Sequence, residues 1–152
     1  MTTIEKSIDV KVPTRKAYNQ WTQFEEFPRF MGGVEEVRQL DEKRSRWRTN
    51  IGGKEKVFDT EITEQIPDQR IAWRSLSGAS QAGVVTFHTL TDQKTRIMLQ
   101  MEYEPEGLAE NVADGLGIVT RRIEKDLERF KDFIETQGIE TGAWRGRIEH
   151  DA

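Results

Sequence analysis

An α+β fold, a single curved antiparallel sheet of about seven strands wrapped around one long C-terminal helix, is what this sequence predicts, and three observations predict it. Between Leu108 and Gln137 the apolar residues fall at Leu108, Val112, Leu116, Val119, Ile123, Leu127, Phe130 and Ile134. Those steps of four and three place them on one stripe of a single helix. From Gly33 to Pro105 the apolar period drops to two, cut into short runs by turn residues, which is the pattern of a sheet with one buried face. Ahead of both stand one strand-like run and an aromatic-rich helical stretch. A sheet that closes one apolar face over one helix buries all of these stripes together.

The first run, Thr3 to Val12, alternates Ile4, Ile8, Val10 and Val12 with mostly polar residues and ends at Pro13. Thr14 is a candidate N-cap for a helix carrying Ala17, Tyr18 and Trp21, and Phe24 and Phe27 form a second short helix before Pro28. Trp21, Phe24, Phe27, Phe30 and Met31 crowd into eleven residues. Such residues serve either as core beneath a helical corner, their commoner use, or as the wall of an apolar pocket.

Six further strands follow. Val34 to Leu40 and Arg44 to Ile51 meet across Asp41-Glu42-Lys43, and Trp47 and Ile51 share a parity. Gly52-Gly53 is a hairpin signal leading into Lys54 to Gln65, where Phe58 and Ile62 alternate. Pro67-Asp68 turns the chain into Arg70 to Leu76, with Ile71 and Trp73 on one face. A loop over SGASQAG leads to Val84 to Leu90, with Val85 and Phe87 inward; Thr95 to Tyr103 then shows Ile97, Leu99, Met101 and Tyr103. In the last helix Gly115 and Gly117 cost about 1 kcal/mol each relative to Ala, against roughly 1.5–3 kcal/mol for each buried stripe residue. The missing bulk leaves room beside the helix for a ligand or for close packing on the sheet. Gly138 is a suitable stop.

At 152 residues the chain forms one domain over residues 1–138 with a tail over 139–152, large enough to bury about 70% of its unfolded surface without staples. The absence of cysteine excludes disulfides, thiolate metal sites and cysteine nucleophiles. No run approaches the roughly 18 apolar residues of a membrane span, and MTTIEKSIDVKV lacks a signal-peptide core, so a soluble cytoplasmic protein is expected. A net charge of −4 with interspersed bases and acids argues against a nucleic-acid partner.

The order strand, two short helices, six strands, long helix resembles the helix-grip fold of the START-like superfamily, also called SRPBCC. The phrases FPRFMGGVEEV, ITEQIPDQRIAWRS, GVVTFHTL with TRIMLQMEYEP, and DLERFKDFIE are similar to polyketide cyclase/dehydrase-type proteins of bacteria and their coenzyme-Q-binding relatives. The resemblance spans nearly the whole chain and implies a deep, mainly apolar cavity between sheet and C-terminal helix. Its wall would come from the corner residues Trp21, Phe24, Phe27, Phe30 and Met31 and from the strand residues Trp47, Phe58, Trp73, Phe87, Leu99, Met101 and Tyr103. The helix would add Leu116, Val119, Thr120 and Ile123.

Chemistry is sparsely encoded. Of the two histidines, His88 lies on the parity opposite Val85 and Phe87 and should face solvent, and His150 is in the tail. No metal site, catalytic residue or cofactor is expected from that inventory. Asp59 and Glu61 read as a solvated sheet face, and neither glycine pair has the strand-to-helix context of a nucleotide site. Inward polar groups reduce to Tyr103, Thr49, Ser75 and Thr120, with Arg70 or Arg74 only if the sheet twists them inward. Trp144, in a tail too short for another core element, packs on the outside of the sheet, docks on a second copy, or stays in water.

The expectation is therefore a binder of a small hydrophobic ligand, such as a lipid, isoprenoid or polyketide-like molecule, acting as a monomer or homodimer. A polyketide cyclase/aromatase-type enzyme is the alternative, and a stress-related or structural partner protein with a collapsed cavity is the third reading.

Overall fold

The structure, a computed structural model, describes residues 2–51, 53–76, 81–103, 112–136 and 140–148. Strand β1 (Thr2–Val10) is followed by helix α1 (Thr14–Trp21) and a 3₁₀ segment (Phe24–Arg29). Six strands come next: β2 (Val34–Gln39), β3 (Arg44–Ile51), β4 (Lys54–Ile66), β5 (Arg70–Ser75), β6 (Gln81–Thr91) and β7 (Lys94–Tyr103). Helix α2 (Val112–Thr136) closes the order. The expected residues 108–111 of that helix, and Gly138, lie outside the described residues.

The sheet order is β1-β7-β6-β5-β4-β3-β2, with every pair antiparallel. Strands β2 to β7 form a meander, and β1 joins at its far edge. Helix α2 is fastened to that edge by polar contacts as well as by its apolar stripe. Lys131 Nζ donates to the Asp9 carbonyl at 2.7 Å, the Lys11 N–H donates to Glu135 Oε2 at 2.8 Å, and Lys6 pairs with Glu124 at 2.9 Å. The opposite edge, β2, exposes Glu35, Glu36 and Arg38, charges that discourage edge-to-edge pairing.

Four local features depart from the sequence expectation. Strand β1 ends at Val10 rather than Val12, although Val12 is still buried, so the alternation outlasts the pairing. Thr14 is the first helical residue and not the cap; its hydroxyl is engaged with Thr89 and Thr95, and the Pro13 carbonyl accepts from Lys16 and Ala17. Strand β6 begins at Gln81, three residues before Val84, because Ala82 and Gly83 pair in register despite their loop-like composition. The fourth is the tail. Ile148 forms a two-hydrogen-bond bridge with Gln65 on the stretch of β4 beyond the reach of β3, and only 6% of it is exposed. Trp144 packs against the core cluster, its backbone N–H donating to Thr22 Oγ1 at 3.0 Å. The tail forms no further helix or strand among the described residues, yet it supplies one core residue, an isoleucine on a free strand edge.

Arg145 explains how the tail is held. It donates to Asn19 Oδ1 and Asp68 Oδ2 at 2.6 and 2.7 Å, and its guanidinium lies 5.5 Å from the centre of the Tyr18 ring. Tyr18 is fully buried, accepts from Gln65 Nε2 at 3.1 Å, and has its hydroxyl pKa raised, chiefly by burial. Asp68 turns the chain at φ 63°, in the left-handed region that Asp tolerates.

Candidate functional site: the inner face of the sheet

One end of the inner face is solid. Val10, Tyr18, Ile71, Val85, Ile97, Phe130 and Ile134 are at most 1% exposed, and aromatic rings interlock across it. Trp21 meets Phe87, Phe27 and Phe130 with ring centres 6.2, 5.6 and 4.9 Å apart, and Phe30 meets Phe130 at 5.1 Å. Edge-on geometry of this kind adds to burial energy. The corner residues Trp21, Phe24, Phe27 and Phe30 therefore sit within the core, 1–7% exposed, together with Phe87. Phe58 joins them in burial and stacks parallel to Trp47 at 6.4 Å.

The other end differs. Trp73, Leu99 and Met101 face inward but are half-buried; Met31, Trp47 and Thr120 are also half-buried. Val119 and Ile123 of α2 are buried opposite. The side chains of Tyr103 and Leu116 lie outside the described residues, as does Gly115's surrounding.

Gly83 shapes this end. A Cβ there would sit 2.5 and 2.7 Å from Trp73 ring carbons, so the indole lies flat over a strand position that must carry no side chain. Among the described residues, a Cβ on Gly117 would meet only Arg121 Nη2, at 3.9 Å.

The loop that ends FPRFMGG is pinned to α2. The Gly32 N–H donates to Asp126 Oδ1 at 2.9 Å, and Arg122 pairs with the same carboxylate at 2.8 Å. A Cβ on Gly32 would fall 2.6 Å from Arg129 Nη1, the flexible end of an exposed side chain that would have to move aside. Burial raises the Asp126 pKa, outweighing the opposing pull of the Gly32 N–H and Arg122.

Reactive candidates remain outside. His88 is exposed and bonded to Thr86 Oγ1 at 2.9 Å. Asp59 pairs with Arg46 at 2.8 Å and Glu61 with Arg74 at 3.0 Å on the outer face, while Arg70 pairs with Glu64. Neither arginine is twisted inward. The Arg46 hydrogen bond lowers the Asp59 pKa. Among the described residues no group of three or more His, Asp and Glu is placed to hold a metal ion. On the inner side stand hydroxyls: Thr49, Thr60, which accepts from Trp47 Nε1 at 2.9 Å, and Ser75, which accepts from the Gln81 N–H at 3.1 Å. Sequence reasoning missed Thr60, Gln81 and Lys6. Parity would have found Thr60, between Phe58 and Ile62; Gln81 was hidden by a loop-like composition, and Lys6 by its charge.

A curved seven-stranded sheet gripping one C-terminal helix defines the START-like helix-grip class. The chain belongs to the family described as polyketide cyclase / dehydrase and lipid transport, whose model matches residues 10–132. It is 55% identical over 149 residues to an uncharacterised 17.2 kDa protein of Streptomyces lincolnensis from the melC2-rnhH intergenic region, covering 97% of this chain and 99% of that one. Among solved structures it is similar to the Zhui aromatase/cyclase from Streptomyces sp. R1128, with a TM-score of 0.78 at 16% identity over 94% of this chain and 99% of the other. It is also similar to a START superfamily protein from Mycobacterium smegmatis, with a TM-score of 0.70 at 16% identity over 88% and 97%. Among the described residues no helix is long and apolar enough to cross a membrane.

Proposed function

We propose that the protein binds a small hydrophobic ligand in the space between the inner face and the N-terminal half of α2. The observation that supports it is the half-burial of Trp73, Leu99, Met101 and Trp47 on a side of the sheet that elsewhere excludes water. Apolar surface left wet in a concave place is the usual setting of a ligand pocket, and the family's description names lipid transport. Of the expected wall, Met31, Trp47, Trp73, Leu99, Met101, Thr120, Val119 and Ile123 are the residues this reading uses; Tyr103 and Leu116 belong to it by position in the sequence.

Titration with N-phenyl-1-naphthylamine tests it. Saturable one-to-one binding, weakened at least fivefold by Trp73→Ala in a protein that still melts cooperatively, is the expected result. Absence of saturable binding would refute it. Catalysis of the cyclase type is the second reading, favoured by the likeness in fold to an aromatase/cyclase. It would have to rely on inward hydroxyls, since His88, Asp59 and Glu61 face outward.

A further inference from the structure

The strand registers draw a line of polar residues across the inner face. Tyr103 pairs with Gln81, Ser75 with Thr60, Thr60 with Ser45 and Ser45 with Gln39. The Gln81 N–H, donating to Ser75 Oγ at 3.1 Å, joins the two halves of the line across β5 and β6. On one side runs an apolar row through Met101, Gly83, Trp73 and Ile62, paired in that order. On the other, Phe58 pairs with Trp47 and Trp47 with Val37. A buried sheet face is expected to be apolar throughout, and each polar group placed there must be satisfied or it costs stability.

The bonding within the line leaves donors over. Thr60 Oγ1 accepts from Trp47 Nε1 and Ser75 Oγ accepts from the Gln81 backbone. In both bonds the hydroxyl is the acceptor, so it keeps its own O–H for another partner. Thr60 is 4% exposed, whereas Ser75 and Gln81 are half-buried, at the end where Trp73 and Met101 also retain exposure. Hydrogen-bond donors at that level suit carbonyl, ether or hydroxyl oxygens on an otherwise apolar molecule.

We infer that Ser75 and Gln81, backed by Thr60, determine specificity by selecting an apolar ligand that carries oxygen functions over a hydrocarbon of the same shape. This rests on the cavity reading above. A site built to hydrogen-bond discriminates against the analogue that cannot, because its own polar groups are then left unpaired.

The test uses a matched pair of probes, 2,7-dihydroxynaphthalene and 2,7-dimethylnaphthalene, titrated calorimetrically into the full chain and into Ser75→Ala, Ser75→Thr and Gln81→Leu. The last variant keeps the backbone bond to Ser75. Ser75→Ala and Gln81→Leu should each weaken the diol by about 2- to 12-fold, the worth of one net hydrogen bond. They should leave the dimethyl compound within about twofold, and Ser75→Thr should restore the diol. Parallel losses for both probes would reduce Ser75 to a loop fastener and overturn the inference, as would unchanged diol affinity. Failure of the wild type to bind either naphthalene or N-phenyl-1-naphthylamine would overturn the cavity itself, whereas N-phenyl-1-naphthylamine binding with no diol selectivity would overturn only the polar line.

Discussion

Ile148→Ala should destabilise the protein far more than a substitution in an irregular segment ordinarily does. The side chain is 6% exposed and belongs to the core cluster. Replacing it with alanine removes three buried carbons, worth about 2.4 kcal/mol at about 0.8 kcal/mol each. The cavity left behind adds to that, bringing the expected loss to roughly 2.5–4 kcal/mol. Both backbone bonds to Gln65 can persist, so the loss reports packing and not the bridge. Ile148→Val, which removes one carbon, should cost about 0.5–1.5 kcal/mol. For a domain of this size each kcal/mol lowers the melting temperature by about 2–4 °C, which puts the alanine variant roughly 5–15 °C below wild type. Urea unfolding of the three proteins measures the free energies directly, and an unchanged slope would confirm that the same surface is exposed. A loss below about 1 kcal/mol for alanine, or rapid exchange of the Gln65 and Ile148 amides, would show that the tail frays from β4 in solution and would refute the reasoning.

Gly83→Ala should cost about 1–3 kcal/mol by overpacking and should shift tryptophan emission, because the new Cβ lands 2.5 Å from the Trp73 ring; unchanged emission and melting would mean that the indole lies elsewhere. Gly117→Ala should instead raise stability by up to about 1 kcal/mol through helix propensity and leave probe binding unchanged, since among the described residues only Arg121 is near; weakened binding would show that the glycine serves the cavity. Asp126 has its pKa raised by burial, so the stability associated with its neutral form is fully present below the ordinary carboxylate range and is lost as pH rises through the folded value. Unfolding free energies of wild type and Asp126→Asn between about pH 3 and 7 should therefore diverge in favour of the asparagine variant as pH rises; divergence in the other direction would show that Arg122 and Gly32 favour the charged carboxylate.

The sequence by itself determined the fold. Period-two runs and one long period-3.6 stripe have few ways to bury their apolar faces, and the strand limits it predicts for Arg44–Ile51 coincide with β3, while others shift by up to three residues. It also placed His88, Asp59 and Glu61 on the outer face, because parity along a strand leaves no other choice once Phe87, Phe58 and Ile62 are buried. What only the tertiary structure decided are relations between residues far apart in the chain. The corner rings pack on Phe87 and Phe130, contacts that no local pattern encodes. The tail's place depended on β4 outrunning β3, which leaves Gln65 with an open edge for Ile148. The polar line through Gln81, Ser75 and Thr60 arises from strand register: each residue is unremarkable in its own strand, and only the hydrogen-bonded pairing of β3, β4, β5 and β6 sets them side by side.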